Sequence, residues 1–229
     1  MIKKPAPYRP PPKFGEGAGA GSKFKFPSEL RLDMVSGDWV VIATGRAKRP
    51  ETFKKERRKI EEAPEEKCPF CNIGAQEKPV LIFSQGKKIP VEEEIPKNWT
   101  TICIPNKYPA FLKDASFNTR LEGPYQAIDA LGFHEVVVTK DNRKSMGQFE
   151  ISQIKEVIDV YQERYLKLQK EEFISYVSIF HNHGFEAGAS ISHPHSQIVA
   201  TPWLTLTLEG LFLILKNILK ITKNAIIAK

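Results

Sequence analysis

Two imidazoles and a carboxamide stand at alternate positions in His193-Pro194-His195-Ser196-Gln197. Residues two apart point the same way along a strand. If this segment opens a strand, His193, His195 and Gln197 line one face, and Ser196, Ile198 and Ala200 the other. Pro194 suits the first position of a strand, where no ladder donor is needed, and it narrows the backbone freedom of its neighbours. A hydrogen-bonded pair of core histidines is the plainer reading. The glycine-rich run Gly184-Phe185-Glu186-Ala187-Gly188-Ala189-Ser190 just before it, and a distant Cys-x-x-Cys, argue for chemistry.

That second motif is Cys68-Pro69-Phe70-Cys71. A tight knuckle brings two thiolates onto one tetrahedral zinc ion. A redox pair would instead sit at a helix start after a strand, and the charged segment upstream does not read as a strand. No second pair follows at zinc-finger spacing, so the other ligands must come from far along the chain, with His193 the obvious supplier. Cys103, in Thr101-Ile102-Cys103-Ile104, reads as a buried strand residue. Arg46-Ala47-Lys48-Arg49-Pro50 gathers cations after a strand. Guanidinium forks match phosphate oxygens, although a solvated basic loop has the same composition.

These groups need a scaffold. Strands are expected at 30–33 and 39–43, joined by the turn residues Ser36-Gly37-Asp38, and at 79–83, 99–104, 133–139 and 174–180. In 133–139, His134, Val136 and Val138 fall on one face and Glu135, Val137 and Thr139 on the other. Residues 149–173 have helical periodicity, with Ile151, Ile154, Ile158, Tyr161, Tyr165 and Leu168 as the expected core stripe. Asn106-Lys107-Tyr108-Pro109-Ala110-Phe111 is a polar, aromatic turn suited to a base or ribose. The pattern is α+β, with a mostly antiparallel sheet and one long amphipathic helix.

The chain has 229 residues, 41% hydrophobic and 27% charged, with a net charge of +7. That is an ordinary globular composition, and its charge favours anionic ligands. Three cysteines, two of them in one Cys-x-x-Cys, suggest a reducing, cytoplasmic setting. No uncharged apolar run reaches membrane-spanning length, and the N-terminus lacks the apolar core of a signal peptide. Three regions are expected: a flexible Pro/Gly-rich tail at 1–27, a folded domain at 28–203, and an atypical Leu/Ile/Lys-rich segment at 204–229 that reads as truncated.

Cys68-Pro69-Phe70-Cys71, Arg46-x-x-Arg49-Pro50, Asn182, Ser190 and His193-Pro194-His195-x-Gln197 together resemble the galactose-1-phosphate uridylyltransferase family, of the histidine-triad superfamily, over residues 30–203. The match is to the first of the family's two tandem copies. The resemblance implies a half-barrel of antiparallel strands with helices on one side. It implies transfer of UMP from UDP-glucose to galactose 1-phosphate through a uridylyl-histidine at His195. Gln197 would bond the transferred phosphoryl group, Ser190 would cradle phosphate oxygens, Arg46 and Arg49 would neutralise the diphosphate, and Asn106 and Asn182 would line the nucleotide pocket. Cys68, Cys71 and His193 would hold structural zinc.

The fourth zinc position, often histidine in the family, falls on Asn142, and asparagine is a poor zinc ligand. His134 is the nearby alternative. Lys107 stands where many members carry an acidic residue for the ribose. Two other readings stay open. One is an adenylyl-transferring relative acting on ADP-sugars or dinucleoside polyphosphates. The other is a non-catalytic, zinc-stabilised fragment that binds nucleotides or nucleic acid, which would leave Gln197 and Ser190 without purpose. The expected partners are a nucleotide sugar and a sugar phosphate, with a membrane excluded, nucleic acid disfavoured and a homodimer left open.

Overall fold

Strand β8, Phe133–Thr139, is rich in β-branched residues and is buried on both faces, which makes it the natural centre of a sheet. A computed structural model describes residues 28–43, 64–91, 94–115, 119–182, 184, 189 and 191–202. Among them are ten strands and one α-helix. The other strands are β1 (Glu29–Leu32), β2 (Trp39–Ile42), β3 (Leu81–Ser84), β4 (Lys87–Ile89), β5 (Thr101–Pro105), β6 (Thr119–Glu122), β7 (Tyr125–Asp129), β9 (Tyr176–Asn182) and β10 (His195–Thr201); the helix is α1 (Ile151–Leu168).

The expected antiparallel sheet divides in two. Six strands run in the order β4-β3-β5-β8-β10-β9, and four in the order β2-β1-β7-β6. All strand pairings are antiparallel. The small sheet begins with the expected hairpin, whose turn uses Gly37 at a φ of 78°. Leu30, Phe111 and Ala130, with Trp39 and Val199, form the apolar cluster between the two sheets.

Alternation along β8 separates two cores. Val136 and Val138 pack with Cys68, Phe70, Trp99, Ile102 and Ile104. Val137 packs the other way, with Leu81, Phe83, Cys103, Ile198 and the helix residues Val160 and Leu168. Full burial of such a side chain contributes about 1.5–3 kcal/mol.

The helix is shorter than its periodicity suggests, and its inner face differs from the expected stripe. Ile151, Ile158 and Tyr165 are exposed, whereas Glu156, Val157, Val160, Arg164 and Leu168 are buried. Two charged residues sit on the inner face because each finds partners there. Glu156 accepts bonds from Thr100 Oγ1 at 2.7 Å, from Thr101 and from the Gly86 amide. Arg164 grips Glu135 of β8 with both arms of its fork, at 2.7 and 2.5 Å. Past Leu168 the chain leaves the helix, and Phe173 stacks on Phe133 with centroids 5.7 Å apart. No helix among the described residues is long and apolar enough to cross a membrane.

Gly132 closes the loop before β8 against β10. Its φ is 152°, and a Cβ there would overlap the Ala200 carbonyl oxygen and press on Phe111. Gly132→Ala is expected to lower stability by about 2–4 kcal/mol, from backbone strain and overpacking together. Denaturant unfolding of the purified chain checks this.

Candidate active site and metal centre

β10 lies between β8 and β9, with His195 paired to Val138 on one side and Asn182 on the other. Its alternate residues face opposite ways, as the sequence pattern requires. Ile198 and Ala200 enter the core beneath α1, and Ser196 Oγ meets Tyr161 of that helix at 2.5 Å. His195 and Gln197 occupy the other face.

The His195 ring is held from behind. Its Nδ1 lies 2.9 Å from the His193 carbonyl oxygen. A carbonyl only accepts, so Nδ1 carries the proton and the lone pair sits on Nε2. The ring is 8% exposed and rests against Phe70, with centroids 4.9 Å apart.

His193 has the opposite tautomer. Its Nε2 donates to the Thr139 carbonyl at 2.8 Å, which leaves the Nδ1 lone pair facing two thiols. Cys68 Sγ is 3.4 Å from that nitrogen and Cys71 Sγ 3.6 Å. All three ligand atoms lie within 4.8 Å of one another, so the cluster could hold a metal ion. The knuckle is preformed. A 3-10 turn at Glu65–Lys67 leads into Cys68, and the Asn72 amide donates to the carbonyls of Glu65, Glu66 and Cys68. Phe70, between the cysteines, also touches the His193 ring edge-on at 5.8 Å.

Burial sets the protonation of the cluster. It pushes the Cys71 thiol up to about 11, with a hydrogen bond to Cys68 in the same sense and the Asn142 amide opposing. It lowers His193, against the bond to Thr139. The imidazole is therefore kept neutral, the form that binds a metal, while the Cys71 thiol needs a cation to lose its proton.

Asn142 stands beside this cluster and His134 does not. The Asn142 Nδ2 donates to Cys71 Sγ at 3.4 Å and reaches Glu65 Oε1 at 3.5 Å. His134 sits at the start of β8, the wrong end for a fourth ligand. Its Nε2 is 2.8 Å from Gln197 Oε1 and 3.0 Å from Asn106 Nδ2, and its Nδ1 accepts the Ala110 amide at 2.9 Å. Asn106 Nδ2 and Gln197 Oε1 thus flank the same imidazole nitrogen, and the Asn106 Oδ1 accepts the Tyr108 amide at 2.9 Å.

Of the sequence-predicted residues, Cys68, Cys71, His193 and Asn142 come together in one cluster. His195 and Gln197 stand together on β10, with the His134 imidazole against Gln197 and Asn106 beside that imidazole. Asn182 lies in β9 opposite His195, with its side chain outside the described residues. Arg46, Arg49 and Ser190 also lie outside them. Phe70, Asn72 and the link from His134 to Gln197 were missed. Alternation alone put His134 on the face of Val136, but the register that brings it to Gln197 is a tertiary fact.

Comparison with known proteins gives one family and several relatives. The model of the galactose-1-phosphate uridyl transferase N-terminal domain matches residues 23–205. A galactose-1-phosphate uridylyltransferase of Thermotoga maritima is 29% identical over 183 residues, covering 79% of this chain and 49% of the relative. An ADP-glucose phosphorylase of Arabidopsis thaliana is 32% identical over 198 residues, covering 85% and 54%. The chain therefore spans about half the length of these curated relatives. A solved structure of a uridylyltransferase superposes with a TM-score of 0.57 at 25% identity, over 81% of this chain and 50% of that one.

The cluster geometry predicts one metal ion per chain, read by elemental analysis of protein purified without added metal. Cys68→Ser is expected to lose the ion and to lower the melting temperature, because binding energy at such a site is folding energy. Asn142→Ala is expected to keep it with about 10- to 100-fold weaker affinity, as for the outer partners of metal ligands. Competition with a chromophoric chelator measures the difference.

Proposed function

This chain belongs to the galactose-1-phosphate uridyl transferase family, and on that premise we propose that it is a nucleotidylyltransferase moving UMP from UDP-glucose to galactose 1-phosphate. The observation that carries the reading is the bond from His195 Nδ1 to the His193 carbonyl. It leaves a neutral nucleophile at Nε2 and a fixed acceptor behind the ring. In the first step Nε2 attacks the α-phosphorus and a nitrogen–phosphorus bond forms. The bond from that phosphorus to the bridging oxygen breaks, and glucose 1-phosphate leaves with the electron pair. In the second step a phosphate oxygen of galactose 1-phosphate attacks, and His195 regains its lone pair. Two in-line displacements at one site replace a single difficult exchange. The His193 carbonyl offsets the positive charge that the ring gains in the intermediate.

Gln197 serves as the fixed donor to the phosphoryl oxygens, where developing charge is best met by prepared dipoles. Ser190, Arg46 and Arg49 complete the phosphate cradle in this reading, and Asn106 and Asn182 line the nucleotide pocket. The metal is zinc, held by Cys68, Cys71 and His193. A tetrahedron with Zn–S of ~2.3 Å and Zn–N of ~2.0 Å has sulfur–nitrogen edges of roughly 3.5 Å, close to the 3.4 and 3.6 Å found here. Zinc supplies a structural tie between the knuckle and the strand that bears His195. Asn142 supports the Cys71 thiolate by hydrogen bonding, and the fourth position falls to another donor. The six-stranded sheet with α1 on one face is read as the histidine-triad half-barrel over residues 28–203. A cytoplasmic setting, consistent with the three free thiols, and a homodimer belong to the same proposal.

An adenylyl donor is the second reading. It is favoured by the 32% identity to the ADP-glucose phosphorylase, and Lys107 does not oppose it. Incubation with UDP-glucose or ADP-glucose, followed by intact-mass measurement, separates the two. The expected result is one uridylyl group per chain and a burst of glucose 1-phosphate of at most one equivalent. His195→Asn should abolish both, and Gln197→Ala should slow labelling about 10²- to 10³-fold, the usual cost of one such donor. Labelling of the His195→Asn chain would overturn the nucleophile assignment. Uptake of adenylyl alone would replace the donor.

A further inference from the structure

We propose that His134 is the positioning residue that decides which way the Gln197 amide faces. The proposal deepens the uridylyl-transfer reading and rests on it. Gln197 can serve the phosphoryl group only if its NH2, and not its carbonyl, meets the anionic oxygens. An amide in solvent turns either way, so something must choose.

The imidazole chooses by its tautomer. The Ala110 backbone amide donates to Nδ1 at 2.9 Å. A backbone amide cannot accept, so Nδ1 holds a lone pair and the neutral ring carries its proton on Nε2. That Nε2 lies 2.8 Å from Gln197 Oε1, so it donates and the carbonyl accepts. The reversed amide would set NH2 against N–H and lose the bond. His134 is 6% exposed, which makes a lost bond there costly.

Asn106 offers the imidazole no competing acceptor. Its Oδ1 is taken by the Tyr108 amide, so its Nδ2 faces the imidazole, 3.0 Å from Nε2. Two donors meeting there cannot bond one another, which leaves the Gln197 carbonyl as the acceptor for Nε2. The Asn106 amide also donates to the His134 carbonyl at 2.9 Å. The turn from Asn106 to Ala110 therefore grips His134 through backbone and side chain, and the imidazole passes that constraint to β10.

Two substitutions separate this role from simple packing. His134→Asn keeps an oxygen near the place of Nδ1 for the Ala110 amide but cannot reach Gln197. His134→Gln restores a donor near the place of Nε2. Single-turnover nucleotidylation of the intact chain by UDP-glucose, followed by mass, gives a maximal rate and a half-saturating concentration. His134→Asn is expected to lower the maximal rate about 10- to 100-fold, as orienting partners do, with half-saturation little changed. His134→Gln should recover most of the rate. In a Gln197→Ala background, His134→Asn should have no further effect, because both act through one amide. An equal loss with and without Gln197 would overturn the proposal. The nitrogen-15 spectrum of the imidazole provides an arm independent of activity: an Nε2–H tautomer supports the proposal, and an Nδ1–H tautomer overturns it. A wild-type chain that takes up no nucleotidyl group would sink the transferase reading, while the spectrum still decides the direction of the amide.

Discussion

Backbone carbonyls acting on imidazoles organise this molecule. The carbonyl of His193 takes the Nδ1 proton of His195, and the carbonyl of Thr139 takes the Nε2 proton of His193. Two histidines separated by one proline are thereby given opposite tautomers. One presents Nε2 toward the open face, and the other presents Nδ1 to a pair of thiols. Neither outcome needs a charged partner. A carboxylate in either place would favour imidazolium, the form that neither attacks nor ligates. Neutral acceptors fixed by the sheet set which nitrogen of each ring carries the proton.

Those carbonyls are in place because β8 and β10 pair in one register and because β8 is anchored on both faces. Arg164 and Glu135 join α1 to β8 through a buried bidentate pair. Removing one partner of such a pair leaves an uncompensated buried charge, so its role is more one of location than of net stability. On the opposite face, Phe70 joins a core to the two histidines. It packs with Val136 and Val138, and it touches both imidazoles. The spacer of the cysteine knuckle thus packs against the His195 ring.

Much of this was legible in the residues. The bounds of β8, the alternation of β10, and the approach of the remote His193 to the cysteine knuckle all followed from period and residue type. What failed did so for tertiary reasons. The stripe on α1 was assigned to Ile151, Ile154, Ile158, Tyr161, Tyr165 and Leu168; Leu168 is buried, but Ile151, Ile158 and Tyr165 are exposed, and Glu156 and Arg164 hold the inner face. Periodicity counts apolar residues and has no way of seeing that a charge has a partner waiting. The division into two sheets depends on long-range pairing of β1 with β7, which local pattern does not encode. His134 looked like a spare metal ligand because residue type suggested it. Its distance from the knuckle and its bond to Gln197 are consequences of register.

That register has a bearing on how the chain finds its fold. A slip of β10 by one residue would send Ser196 and Ile198 to the open face. It would also drive His195 and Gln197 under α1, among Val160, Leu168 and Val137. Each polar group stranded there would cost about 1–3 kcal/mol, and the apolar residues sent outward would lose their burial. The misaligned strand would be rejected by the core long before any substrate arrived. Hydrophobic packing on one face of β10 therefore proofreads the placement of His195 and Gln197 on the other.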